Sequence, residues 1–158
     1  MMDDPQNLDE LKELLCFNIY SLNRSFGRFY QAAFSQTGLT YSKFVILMAL
    51  DADGPMSISA LSKRASVEPH TLSPIVKKMA EFGAITRQRA DDDERRVELA
   101  ITAKGREVLE RARAVVGAGF DGLGIDADQM LQAMQFLATT RERVEKADPP
   151  KLSFTGLD

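Results

Sequence analysis

The segment from Ser57 to Thr102 constrains this chain most, because two short amphipathic patterns separated by a tight polar break run directly into two alternating strands. In Ser57-Ile-Ser-Ala-Leu-Ser-Lys-Arg-Ala65 the leading serine is able to cap free backbone N–H groups, and Ile58, Leu61 and Ala65 recur at helical spacing. Ser66-Val67-Glu68-Pro69 interrupts that pattern. The next one, His70 to Ala80, lines up Leu72, Ile75, Val76 and Met79 as an apolar stripe that needs a core. His70, Thr71, Ser73, Lys77 and Lys78 remain on its opposite face. Small hydroxyls near the start of a second helix, with lysines further on, suit a helix-turn-helix whose second member enters a DNA major groove. Pro74 leaves the start of that helix open. From Pro69, the proline removes an interior hydrogen bond; from Thr71, it stands in the tolerant first turn.

Gly83 stands where a helix C-terminus favours glycine. Ile85 to Ala90 and Val97 to Ile101 then alternate as two half-buried strands, joined by the charged loop Asp91-Asp92-Asp93-Glu94-Arg95-Arg96. A helix-turn-helix followed by such a hairpin is a winged helix, so the expected fold is mainly α with a small β-hairpin wing. Arg87, Arg89, Arg95 and Arg96 offer phosphate contacts or insertion into a narrow minor groove. Asp93 suits a different role, holding the guanidinium of Arg87 or Arg95 through bidentate bonds.

The flanks read as long helices. Asn7 and Glu10 form a capping-box pattern, and from Leu8 to about Ser35 the apolar positions Leu11, Leu15, Ile19, Leu22, Phe26 and Tyr30 keep helical spacing. Gly38 ends that helix, and Thr40 opens another over Tyr41 to Asp51, whose run from Phe44 to Leu50 belongs at the centre of a core. Asp53-Gly54-Pro55 is a turn. Thr102 caps a helix carrying Val108, Leu109, Val115 and Val116, and the pair Asp126 and Gln129 opens one carrying Met130, Met134, Leu137 and Val144. Between them, Gly117-Ala-Gly119-Phe-Asp-Gly122 fits a dinucleotide-binding pattern, but the charged helical spacing before it and the missing parallel-sheet unit argue against a nucleotide site. The glycines read instead as a break between helices.

First and last helices have more apolar surface than one small winged helix covers, so a helical dimer is expected. Its two recognition helices would lie about 34 Å apart, one turn of DNA, on a near-palindromic double-stranded operator. The expected organisation is an N-terminal helix over residues 1–38, a winged helix-turn-helix over 39–102, dimerisation helices over 103–147, and a tail over 148–158 that is either poorly ordered or packed on a neighbour.

A net charge of −3 over 158 residues excludes indiscriminate nucleic-acid binding, while cations are dense between Lys63 and Arg111. The acidic start Met-Met-Asp-Asp-Pro has no apolar leader, and the run Phe44 to Leu50 is too short to cross a bilayer, so a cytoplasmic protein without membrane attachment is expected. His70 is the only histidine, so neither a zinc cluster nor a Cys–His catalytic pair within one chain has enough ligands unless Asp and Glu fill in. No metal, cofactor or enzymatic activity is therefore expected; His70 is either a base or phosphate contact or a plain exposed side chain.

The runs Thr71-Leu-Ser-Pro-Ile-Val-Lys-Lys-Met79, Gly83-Ala-Ile-Thr-Arg87, Asp92-Asp-Glu-Arg-Arg-Val97 and Leu99-Ala-Ile-Thr102 resemble the MarR family of dimeric winged-helix repressors. That resemblance implies that the second helix reads bases and that Arg95 reaches the minor groove. Cys16, in Leu14-Leu-Cys-Phe-Asn-Ile-Tyr20, lies on the apolar side of the first helix, where a free cysteine is either a small packed hydrophobe or a reactive thiol. All the tyrosines, Tyr20, Tyr30 and Tyr41, fall not far from it in sequence, and a phenolic O–H donates well to a thiolate. Tyr30 is about 21 Å beyond Cys16 on a continuous helix, so its bond to the thiol must cross a dimer.

Leu-Cys-Phe-x-x-Tyr, Tyr30, Leu39-Thr40-Tyr41 and Thr71 to Pro74 together resemble the organic hydroperoxide resistance regulators, the OhrR branch of that family. The resemblance implies oxidation of Cys16 by an organic hydroperoxide to a sulfenic acid. With no second cysteine, it implies the one-cysteine type, whose sulfenate condenses with a low-molecular-weight thiol or a backbone nitrogen, or overoxidises. The competing expectation is a repressor of the same type released by a small aromatic ligand in the apolar cleft between dimer helices and reader, with Cys16 merely packed.

Overall fold

The computed structural model describes residues 10–89 and 97–149. A helical turn over residues 10–13 precedes α1 (Leu15–Ala33). There follow α2 (Tyr41–Asp53), β1 (Met56–Ser57), α3 (Ile58–Ala65), α4 (Pro69–Phe82), β2 (Ile85–Arg89), β3 (Val97–Ile101), α5 (Ala103–Asp121) and α6 (Ala127–Lys146). Through Gly119 the chain forms one compact unit, and from Phe120 onward a second. The mainly helical winged fold with a small antiparallel sheet is what the sequence pattern predicts.

In the first unit α2 is the buried centre. Its Phe44, Ile46, Leu47, Ala49 and Leu50 are all buried, as expected of a helix apolar on most sides. Leu61 from α3, Leu72 and Val76 from α4, Ile85 from β2, Leu99 from β3 and Leu109 from α5 complete the same core, each less than 2% or at most 2% exposed. The apolar stripe of α4 is therefore spent inward, which fixes its polar face outward. The sheet has strand order β1-β3-β2, with Met56 opposite Leu99 on one side and Arg87 opposite Leu99 on the other. Strand β1 escapes sequence reasoning, because two residues are too few to show alternation and Ser57 is already engaged as a helix cap.

The local signals for helix ends hold at most places. Thr40, Ser57 and Asp126 accept from Lys43 N, Ala60 N and Gln129 N, and the Asp126/Gln129 pair is a full capping box. Gly83 adopts φ 82° at the end of α4, a conformation that a Cβ would strain. Thr102 Oγ1 accepts from Gly105 N at 3.0 Å.

Three expectations need correction. The first helix is broken at Leu14, whose backbone is extended, so α1 starts at Leu15; the Asn18 amide donates to the carbonyls of Lys12 at 2.6 Å and Leu14 at 2.9 Å, satisfying acceptors near that break. Gly117 and Gly119 do not end a helix, since α5 runs on to Asp121 and the chain turns at Gly124, φ 66°. Gly119 serves close packing instead: a Cβ there would stand 2.5 Å from Phe29 Cζ. Finally, β2 buries only Ile85 and leaves its other residues exposed, whereas the expected alternation holds for Leu99 and Ile101 of β3. Asn7 of the first capping box and the tail from residue 150 lie outside the described residues.

In the second unit, α6 buries none of its residues; Leu131, Met134, Phe136, Leu137 and Val144 are exposed. No helix among the described residues is long and apolar enough to cross a membrane.

Candidate nucleic-acid interface and thiol site

Helix α4 begins at Pro69, in its first turn where a missing N–H costs nothing, and this settles the open start. Pro74 is consequently interior, and the helix continues through it to Phe82. The break before α4 is fastened by Ser66 in a left-handed conformation, φ 51°, and by Ser62, whose Oγ donates to the Val67 carbonyl at 2.7 Å while its own carbonyl accepts from Val67 N at 3.1 Å. Ser62 is a residue that sequence reasoning missed; its only signal was a hydroxyl next to buried Leu61 on the inward side of a short helix.

His70, Thr71, Ser73, Lys77 and Lys78 are all exposed on α4, as its stripe requires. Ser73 Oγ donates to the Pro69 carbonyl at 3.0 Å, which leaves its lone pairs as acceptors toward a base. Arg87 and Arg89 are exposed on β2, opposite Leu99 and Val97 respectively. Asp93, Arg95 and Arg96, and with them any grip of Asp93 on Arg87 or Arg95, lie outside the described residues.

The density of cations in the middle of the sequence overstates the field facing outward. Arg106, inside that stretch, and Arg113, just beyond it, reach Asp51 of α2 at 3.6 and 3.0 Å. Arg64 is hydrogen-bonded to Asp53 at 2.5 Å, and that bond and charge hold its guanidinium still further above its usual range. These three arginines tie helices together at the surface.

The proposed thiol and phenols fall into two groups. Cys16 is exposed in the first turn of α1 rather than packed within the protomer. Tyr20, one turn on, accepts at its hydroxyl from Arg24 Nη1 at 3.0 Å. Tyr30 and Tyr41 come together at the far end, with ring centroids 4.5 Å apart, and Tyr30 also packs against Phe34 and Phe44 at 5.8 and 6.1 Å. Burial first, and then the neighbouring Tyr41, pushes the Tyr30 phenol up, so it stays a proton donor over a wider range. Because α1 is unbroken from Leu15 to Ala33, Tyr30 is held about 21 Å from Cys16 along the axis of its own helix.

A cavity of about 410 Å³ opens beside α4 in the first unit. Phe34, Leu39, Leu47, Met79, Phe82 and Val115 supply apolar walls, and Lys43, Lys78 and Arg111 supply cationic side chains. Lys78 thus belongs to the cavity lining as well as to the exposed face of α4.

A winged helix-turn-helix that buries the apolar stripe of its second helix and turns hydroxyls and cations outward defines a DNA-binding transcriptional regulator. The model of the MarR family matches residues 39–97. The HTH-type transcriptional regulator MgrA of Staphylococcus aureus is 32% identical over 108 residues, covering 68% of this chain and 71% of that protein. The chain belongs to the MarR family, whose members are transcriptional regulators rather than enzymes. Among solved structures, reduced AbfR bound to DNA superposes with a TM-score of 0.69 at 23% identity, covering 90% of this chain and 100% of the other. The organohalide-sensing regulator RdhR, in its 2,4-dichlorophenol-bound form, gives a TM-score of 0.76 at 23% identity, covering 90% of this chain and 86% of the other. At that identity both likenesses bear on the fold.

Proposed function

We propose that this protein is a homodimeric repressor that holds a near-palindromic operator while Cys16 is reduced and releases it when an organic hydroperoxide oxidises that thiol. The observation that carries this reading is the division of the thiol chemistry along α1: an exposed sulfur at one end, and a close Tyr30–Tyr41 pair at the other. One rigid helix keeps them apart in a protomer, whereas two first helices crossing antiparallel bring the phenols of one copy to the thiol of the other. The exposed Leu15, Ile19 and Leu22 of α1 and the exposed apolar residues of α6 give a second copy surface to cover. His70, Thr71, Ser73, Lys77, Lys78, Arg87 and Arg89 form the DNA-facing set, with Lys and Arg serving phosphate and the start of α4 serving bases.

The chemistry balances without a cofactor. The thiolate sulfur attacks the distal oxygen of R–O–O–H; the S–O bond forms as O–O breaks, giving a sulfenic acid and, after proton uptake, the alcohol R–OH. A low-molecular-weight thiol then condenses with the sulfenic acid, forming an S–S bond and releasing water. The added oxygen or thiol adduct replaces an acceptor held by phenols with bulk in a packed interface, and the readers lose their spacing. A bias of a few kcal/mol suffices, since about 1.4 kcal/mol is tenfold in affinity. Cys16→Ser is expected to bind operator as the wild type does and to stay bound in cumene hydroperoxide. Release of that variant at wild-type peroxide doses would refute the thiol mechanism.

The cavity supports a second reading. Its apolar walls and three cationic side chains suit a small aromatic anion that competes for Lys78 and props α4. Operator release by such an acid from Cys16→Ser, without oxidant, distinguishes this route.

A further inference from the structure

The end of α4 opposite its proposed base-reading start is fastened to the start of α5. A helix leaves its last carbonyls without partners. Here the carbonyl of the last helical residue, Phe82, and those of Gly83 and Ala84 just beyond it are all taken by residues at the opening of α5. Lys104 Nζ donates to Phe82 O at 2.7 Å and stands 3.8 Å over the exposed Phe82 ring. Thr102 Oγ1 donates to Gly83 O at 2.7 Å, with Ala84 O second at 3.1 Å, and Thr102 N donates to Ala84 O at 3.1 Å. The same Thr102 hydroxyl accepts from Gly105 N. Gly105 closes the junction: a Cβ there would sit 2.1 Å from Ala84 O, so α5 approaches at a distance only glycine permits.

We infer that Thr102, Lys104 and Gly105 are positioning residues for the recognition helix, setting the direction in which α4 meets DNA by locking its far end to α5. The inference rests on the reading of α4 as the base reader. The lever is long enough to matter. Fourteen residues of α4 span about 21 Å, so a tilt of about 10° at the lock moves the other end by about 3 to 4 Å, beyond the tolerance of a base hydrogen bond. Phosphate contacts by flexible lysines survive such a tilt, whereas base contacts do not. Loss of the lock therefore reduces discrimination before it reduces binding.

The probe is a duplex selected by the wild-type dimer from a randomised pool, compared with a scrambled duplex of the same composition. Thr102→Val and Lys104→Gln are each expected to lower the selected-to-scrambled affinity ratio about five- to tenfold, with scrambled affinity and salt slope retained, while Thr102→Ser keeps the wild-type ratio. Should Thr102→Val fail to fold, the exposed Lys104→Gln carries the test with the same expectation. An unchanged ratio in the folded variants overturns the inference, as does a loss by Lys104→Gln that is equal on both duplexes, or by Thr102→Ser as large as by Thr102→Val. Thr71→Ala combined with Ser73→Ala is measured alongside. If that pair leaves the ratio untouched, the reading of α4 as the base reader fails, and not merely the lock behind it.

Discussion

Two glycines of α5 give the same chemical change opposite consequences. At Gly105, the Cβ of an alanine would lie 2.1 Å from Ala84 O, 2.8 Å from Ile101 Cγ1 and 3.0 Å from Ala84 C. Two of these neighbours are backbone atoms, so the junction must open by about 1 Å to reach an ordinary carbon–oxygen contact. Such overpacking costs about 1 to 3 kcal/mol. The displaced Ala84 carbonyl also loosens its bonds from Thr102 N and Oγ1, at about 1 kcal/mol each. Replacing a helical glycine by alanine returns about 1 kcal/mol, leaving a net loss of about 3 kcal/mol. For a chain of this size that lowers Tm by about 6 to 12 °C. At Gly117 nothing lies within 4 Å of the added Cβ, so only the helix-propensity gain of about 1 kcal/mol remains and Tm rises by about 2 to 4 °C. Circular dichroism melts at one fixed protomer concentration measure both, because association adds its own stability. A Gly105→Ala Tm at or above the wild type, or a shift of the same sign at both positions, would refute the packing of α5 against the end of α4.

Tyr30→Phe keeps its ring packing against Tyr41, Phe34 and Phe44 and removes only the hydroxyl. Under the proposed mechanism it slows loss of the Cys16 thiol to cumene hydroperoxide by about tenfold, the worth of one hydrogen bond to a charged group; thiol titration against time checks this, and unchanged rates in both Tyr30→Phe and Tyr41→Phe remove the phenols from the mechanism. Lys77→Ala, at an exposed position of α4, weakens binding to selected and scrambled duplexes alike and reduces the logarithmic salt slope by about one per subunit. A slope equal to that of the wild type means that Lys77 faces no phosphate.

What the sequence makes legible here is what local chemistry decides. The periodic apolar stripes of α2 and α4, the caps at Thr40, Ser57 and Asp126, and the glycine at the end of α4 each depend on a few neighbours, and all were readable. The break at Leu14 was not, because the apolar spacing runs straight through it and its compensating donor is a single Asn18 amide. Gly117 and Gly119 misled for the converse reason: their signal is local, but the need at Gly119 comes from Phe29, ninety residues earlier in the chain. Charge density misled in the same way. Arg106 looks like part of a DNA-facing field until Asp51 is seen beside it. Thr102 was readable as the cap of α5, but its bond to Gly83, like those of Ser62 and Lys104, goes to a carbonyl group, and carbonyls carry no residue identity from which a sequence reader could start.

The contacts within the first unit bear on how an event at a thiol could reach DNA. Tyr30 packs on Tyr41 and Phe44, so the far end of α1 rests on the helix that fills the core. Asp51, near the other end of α2, pairs with Arg106 and Arg113 of α5, and α5 is fastened through Thr102 and Lys104 to the end of α4. Each step is a close contact between rigid elements, and such contacts favour discrete repacking over gradual bending. Sensing by Cys16 under the proposed mechanism is then inseparable from assembly, because a continuous α1 denies the thiol its own Tyr30 and a second copy has to supply it. Diluting the protein below its dimer dissociation constant therefore removes phenolic activation and operator spacing in one step under that mechanism, whereas the residues lining the cavity beside α4 are already together in one protomer.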